Sequence, residues 1–170
     1  RSRAESLSLR ADIYAQMGRN RDAAAIYNEL LRGGHADEAL HYKLSQALFG
    51  AGDVEPALVA LEPALRVKDA KGRSQAKLSW ARCEAALGRF REAQAQLEKL
   101  QKKSELKDVA QYRLARLALH SGDYGKAQQL LSAFLRKQPE SEAAQQARLL
   151  SYIYCGQREQ AQEAISSLLE

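Results

Sequence analysis

The sequence predicts an all-α protein, a solenoid of five helix–turn–helix repeats that together fill its 170 residues. Glycine recurs at spacings of 34, 36, 34 and 34 residues, at Gly18, Gly52, Gly88, Gly122 and Gly156. Five residues after each glycine stands an alanine, and four residues further a large apolar residue: Ala23 and Tyr27, Ala57 and Leu61, Ala93 and Leu97, Ala127 and Leu131, Ala161 and Ile165. Three residue classes kept in phase at such a period are typical of stacked structural repeats.

Each repeated position has a physical reason. Glycine ends a helix easily because it adopts the left-handed conformation, so it closes the first helix of each repeat, helix A. The alanine allows helix B to cross helix A closely, and the larger residue one turn later fills the space where the two helices diverge. Asp53 and Asp123 directly follow their glycines and are predicted to cap the B helix. The other half of the close contact is a small or apolar residue seven positions before the glycine: Ala11, Ser45, Ala81, Ala115 and Leu149.

A helix–turn–helix of 34 residues with small side chains at these positions resembles the tetratricopeptide repeat. The resemblance covers residues 4–170, with repeats at about 4–37, 38–73, 74–107, 108–141 and 142–170, and the chain is read as one domain over residues 1–170. It implies a right-handed solenoid. Because the sequence starts at Arg1 without a methionine and no capping helix follows the last repeat, we expect a fragment of a longer scaffold. The short repeats rich in alanine and glutamine favour a bacterial one. Pro139 matches the family's terminal proline, whereas Trp80 lies three positions later than the family's tryptophan.

The second repeat is predicted to be irregular. Two extra residues fall in or near Arg66–Ser74 and lengthen the connection to the third repeat. Pro63 lies inside the second B helix, where the missing N–H costs about 3 kcal/mol or bends the helix. Pro56 is harmless because it lies in the first turn. We therefore expect a bend at Pro63.

No pattern in the sequence indicates catalysis, a cofactor or a metal site. His35, His41 and His120 do not converge with carboxylates or with Cys83 and Cys155 at any metal-ligand spacing. Neither a phosphate-binding glycine loop nor a nucleophile elbow is present. No apolar run approaches the roughly 20 residues of a membrane span, which argues against membrane insertion. We therefore expect a protein that is not an enzyme.

The candidate binding site is the face of the A helices that the tetratricopeptide resemblance places on a concave groove. Helical periodicity independently places the residues of this face on one side of each A helix. Arginine offers a two-pronged fork to carboxylates, and tyrosine supplies rigid contact area. Residues 74–107 carry eight basic and four acidic residues, and residues 108–141 carry five and three. The predicted groove residues are Tyr42, Lys43, Gln46, Phe49, Arg82, Tyr112, Arg113, Arg116 and His120.

These features favour a non-catalytic scaffold that binds a partner protein through an acidic or extended segment, in a bacterial envelope or secretion assembly. The cytoplasm and the periplasm both stay open as its compartment. Two alternatives are kept: binding of a polyanion, either nucleic acid or acidic polysaccharide, which is not favoured, and a docking or regulatory module of a larger enzyme. End-to-end self-association through the last helix is a further expectation. The family's clamp for acidic chaperone termini is not reproduced, since its positions hold Ser8, Asp12, Lys43, Gln75 and Ser79.

Overall fold

The computed structural model describes residues 2–35, 38–103 and 105–169, and these described residues form helices and turns without a strand. The A and B helices alternate along the chain as the sequence predicts. They are α1 (Arg3–Gln16), α2 (Asn20–Arg32), α3 (Glu38–Ala51), α4 (Val54–Leu61), α5 (Ala70–Ala86), α6 (Phe90–Lys103), α7 (Lys107–His120), α8 (Tyr124–Leu135), α9 (Glu142–Tyr154) and α10 (Arg158–Leu169). The prediction of an all-α solenoid of helix–turn–helix repeats is confirmed.

The chain divides into two compact units, Arg1–Ala93 and Gln94–Glu170. In the first unit, one apolar cluster joins α1, α2 and α3 around Tyr27, and another joins α3, α4 and α5 around Leu61. In the second unit, α7, α8 and α9 meet around Leu131 and Phe134. The B-helix residue that the repeat pattern assigns to the space between helices is thus buried in the first four repeats, whereas Ile165 of the last repeat is exposed.

The predicted glycine turns are confirmed in all five repeats. The five glycines have φ angles from +72° to +89°. In each turn the following N–H donates to the carbonyl oxygen five residues earlier, as in Arg19 to Tyr14 at 2.8 Å and Asp123 to Ala118 at 2.9 Å. This is the hydrogen bond of the Schellman motif, which satisfies a carbonyl that the helix end would leave unpaired.

Substitution of two nearby glycines should change stability in opposite directions. At both Gly122 and Gly125 an added Cβ meets no heavy atom within 4 Å, so only backbone conformation distinguishes them. Gly122 has φ +81°, where an alanine costs about 1 to 2 kcal/mol. Gly125 lies in the first turn of α8, where alanine should stabilise the fold by roughly 0.5 kcal/mol. Urea unfolding followed by circular dichroism measures the unfolding free energy of both variants. An equal change in the two would contradict the prediction.

The second repeat is irregular, as predicted, but the irregularity is not the bend that we expected at Pro63. Helix α4 ends at Leu61, and a short 3-10 helix at Pro63–Arg66 replaces the expected bent continuation. Proline has no N–H, so the α-helical hydrogen-bond ladder stops there. The extra residues extend α5 to 17 residues, and Asp69 caps it by accepting from the N–H of Gly72.

The predicted aspartate caps differ from each other. Asp123 accepts a hydrogen bond from the N–H of Lys126 at 3.1 Å, as predicted for the start of α8. Asp53 stands at the same position before α4, but its side chain makes no capping bond. The residue type therefore predicts the cap correctly in one repeat and not in the other.

Candidate partner-binding surfaces

In the first unit, the guanidinium of Arg82 stacks on the ring of Phe49. The guanidinium carbon of Arg82, on α5, lies 3.9 Å from the centroid of the Phe49 ring, on α3. The Nε of Arg82 is buried and has no hydrogen-bond partner among the described residues. A buried donor without an acceptor lowers stability, whereas the contact with the ring face offsets part of that cost. The two predicted groove residues therefore form one unit, which we call the Arg82–Phe49 pair.

Lys43 is not an isolated groove cation. Its ammonium donates to both oxygens of Asp12, at 2.9 Å each, and the hydroxyl of Tyr27 donates to Asp12 Oδ1 at 2.6 Å. Burial alone raises the pKa of Asp12, but the hydrogen bonds from Tyr27 and Lys43 and the charge of Lys43 outweigh it and leave that pKa below its ordinary value. Burial, and then the bond to Asp12, raises the pKa of Tyr27. The three side chains join α1, α2 and α3.

The Asp12 cluster should make stability depend on pH. Because folding lowers the pKa of Asp12 below 3.8, its charge stabilises the fold above that pH, and the contribution is lost as pH falls through the lowered value. The Asp12→Asn variant should therefore be less stable than wild type at pH 6, by less than about 1 kcal/mol since the pair is partly exposed. The difference should shrink towards pH 3. Urea titrations at several pH values measure it, with Asp53→Asn as a control that removes an exposed carboxylate.

The remaining predicted residues of the first unit do not gather with these groups in one cavity. Tyr42 packs against the Leu61 cluster and lines a small cavity of about 260 Å³ beside Asp69 and Gln75. Gln46 is exposed on α3. Of the two cationic residues that the sequence predicts for the groove in this unit, Arg82 is thus the one that the Asp12 cluster does not neutralise.

The second unit contains a larger cleft, of about 450 Å³, formed by α7, the start of α8 and α9. Three predicted residues, Tyr112, Arg116 and His120, line it. Arg116 and His120 are exposed and stand one turn apart on α7. Tyr112 forms part of the wall, because its ring packs 5.4 Å from that of Phe134. We call this cavity the α7–α9 cleft; its other lining residues are Leu119, Tyr124, Ala143, Gln146, Ala147, Leu150 and Tyr154.

In the second unit, the structure adds residues to the predicted site and leaves one predicted residue, Arg113, outside the cleft. Arg113 is half-buried on α7 and is not among the residues that line the cleft. Tyr124 and Tyr154 line it, with their rings stacked 5.5 Å apart at an interplanar angle of 19°. Tyr154 stands two residues before its glycine, as His120 does, so it belongs to the same face of the A helices from which His120 was predicted. Tyr124 lies on a B helix and therefore outside that face.

The described residues contain no group of three or more histidine, cysteine or acidic side chains placed to hold a metal ion. Burial raises the pKa of the Cys83 thiol, which packs in the Leu61 cluster as a protonated side chain. Among the described helices, none combines the length and the apolar character that crossing a bilayer requires.

Paired helices, glycine turns and small crossing residues define a helical-repeat protein. Models of the tetratricopeptide repeat match residues 8–73 and 84–150. The chain belongs to the tetratricopeptide repeat family. No curated protein sequence matches it.

Solved structures of tetratricopeptide proteins share the fold. The Q17M variant of nearly identical TPR-like repeats from Podosopora anserina is 22% identical, with a TM-score of 0.78 over 97% of this chain and 92% of that one. MamA is 19% identical, with a TM-score of 0.73 over 94% and 92%. A tetratricopeptide repeat protein from Parabacteroides merdae is 16% identical, with a TM-score of 0.79 over 98% of this chain and 64% of that one. The family's proteins are generally non-catalytic scaffolds for protein–protein interaction, and the fold supports that general role here.

Proposed function

We propose that this protein is a non-catalytic scaffold that binds an acidic, extended segment of a partner protein. The α7–α9 cleft carries the proposal. Arg116 and His120 are exposed in it, and none of the described residues that line it is acidic. A cationic cleft of this kind favours a carboxylate of the partner, and arginine can bind that carboxylate by donating two parallel hydrogen bonds to its oxygens.

The Arg82–Phe49 pair supports the same proposal in the first unit. Stacking on Phe49 holds the guanidinium in one orientation, which lowers the entropy lost when it binds a carboxylate. Lys43 takes a smaller part in the proposal, because Asp12 already matches its charge.

Affinity capture with the tagged protein tests the proposal. The double variant Arg82→Glu/Arg116→Glu should lose captured proteins that wild type retains. The control is Arg91→Glu/Arg136→Glu, which changes the formal charge equally at two exposed arginines that do not line the cleft. Circular dichroism establishes that each variant is folded. Equal capture by both double variants would contradict the proposal.

Polyanion binding is the second candidate, and the excess of basic residues in 74–107 favours it. Several of these, including Lys99, Lys102 and Lys107, lie near the turn between α6 and α7. A polyanion would be held by the summed positive charge, so affinity should fall steeply with salt. Binding of a single-stranded oligonucleotide or heparin that both double variants weaken equally would favour this candidate.

We also propose that α10 associates with a second copy of the chain. Ile165 is 44% exposed, whereas the equivalent residues Tyr27, Leu61, Leu97 and Leu131 are at most 3% exposed. An apolar side chain at a position that four repeats bury is suited to such a contact.

The setting that we propose, a bacterial envelope or secretion assembly, rests only on the short repeats rich in alanine and glutamine. A docking module of a larger enzyme is the alternative that keeps the same binding surfaces.

A further inference from the structure

We propose that the α7–α9 cleft is an anchor pocket for a bulky apolar side chain, aromatic for preference, that lies next to an acidic residue in the partner segment. This inference rests on the proposed function and names the sequence that the cleft selects. It predicts that charge alone does not give high affinity.

The lining of the cleft combines a cationic side chain with apolar ones. Arg116 and His120 lie on α7, and Ala143 and Ala147 lie on α9. The alanines leave the space that longer side chains would fill. A volume of about 450 Å³ lies within the range of pockets that bind small molecules. It exceeds what a carboxylate needs and leaves room for an aromatic side chain with its neighbouring backbone.

The apolar part of the cleft is exposed to solvent. Leu150 is 45% exposed and Tyr154 is 62% exposed. Covering such side chains with an apolar group removes their surface from water, which is favourable in proportion to the area covered. Tyr124 stacks on Tyr154 and holds it in place, so little side-chain entropy is lost on binding. The cleft is therefore ready to receive an apolar group.

The composition of the lining favours a peptide over a nucleic acid. One arginine and one histidine lie among eight uncharged residues, whereas a nucleic acid is tracked by a row of cations. Tyr124 and Tyr154 also stack on each other, which uses one face of each ring. One carboxylate beside one apolar side chain matches the two parts of the cleft.

Four synthetic peptides with one Gly-Ser background test the inference. Their central residues are Phe-Glu-Glu, Ala-Glu-Glu, Phe-Gln-Gln and Ala-Gln-Gln, and each is titrated into the full chain labelled with ¹⁵N. We expect the Phe-Glu-Glu peptide to bind about tenfold more tightly than Ala-Glu-Glu. The amide shifts should centre on the last turn of α7 and on α9. Equal affinity for these two peptides, or no binding of Phe-Glu-Glu at about 5 mM, would overturn the anchor pocket.

Three variants locate the effect. Ala143→Leu fills the cleft from an exposed position, and Tyr154→Ala removes one wall; both leave Arg116 and His120 in place. Each should reduce the tenfold advantage of phenylalanine to about twofold or less. Arg116→Gln should instead weaken both glutamate peptides by a similar factor and keep their ratio. An unchanged ratio in both Ala143→Leu and Tyr154→Ala would overturn the assignment to this cleft.

The peptides also separate this inference from the proposed function. If Phe-Glu-Glu and Ala-Glu-Glu bind equally and both depend on Arg116, the acidic-segment function holds and the anchor pocket is wrong. If phenylalanine strengthens binding but the glutamates do not, the pocket is apolar only, and both the neighbouring carboxylate and the acidic segment are wrong. A single-stranded oligonucleotide that displaces Phe-Glu-Glu and binds more tightly would overturn the peptide assignment.

Discussion

The Leu131→Ala variant should lose about 3 kcal/mol of unfolding free energy. Leu131 is fully buried in the cluster of α7, α8 and α9. Removing its side chain forfeits the burial of the removed carbon atoms and leaves a cavity that the helices fill only in part.

The next repeat supplies a matched control. Ile165 holds the same position as Leu131 but is 44% exposed, so Ile165→Ala should cost less than about 1 kcal/mol. Urea unfolding followed by circular dichroism measures both variants. Equal losses of unfolding free energy would show that the position in the repeat, rather than burial, determines the cost of the substitution. A loss for Ile165→Ala that grows with protein concentration would support the association through α10.

The order of the helices could be predicted because its signals are local. A glycine with positive φ ends a helix whatever surrounds it. An alanine at a crossing indicates that two neighbouring helices approach each other closely. The same reasoning located the irregularity at Pro63. It could not predict that α4 would stop and α5 lengthen, because a proline is accommodated equally well by a bend or by a helix end.

The candidate site could be predicted only in part, because side-chain partners depend on packing. Three residues chosen from the face of the A helices, Tyr112, Arg116 and His120, line one cleft, and their part in binding stays a prediction. The face of the A helices did not show that Lys43 would meet Asp12, 31 residues earlier in the chain. Nor did it include Tyr124. This B-helix residue lines the cleft because the start of α8 packs beside α9, and the sequence does not show that packing.

The Arg116→Glu substitution should have the largest effect on binding. A hydrogen bond to a charged group contributes about 1.5 to 3 kcal/mol, so losing it weakens binding of an acidic segment at least about tenfold. The new carboxylate also repels the partner. We therefore expect the variant to retain only a small fraction of each captured protein, measured by quantitative mass spectrometry against the Arg136→Glu control.

Two further measurements separate geometry from charge. Arg116→Lys keeps the positive charge but loses the planar fork, so it should retain part of the binding that Arg116→Glu abolishes. Arg82→Lys should lose more of the partner binding than Arg116→Lys, because the guanidinium of Arg82 also stacks on Phe49. Raising the salt concentration should bring wild type closer to the charge-reversed variant, since exposed charges are screened. If both lysine variants bind as wild type does, positive charge alone is sufficient, and the arginine fork plays no part in recognising the partner's carboxylate.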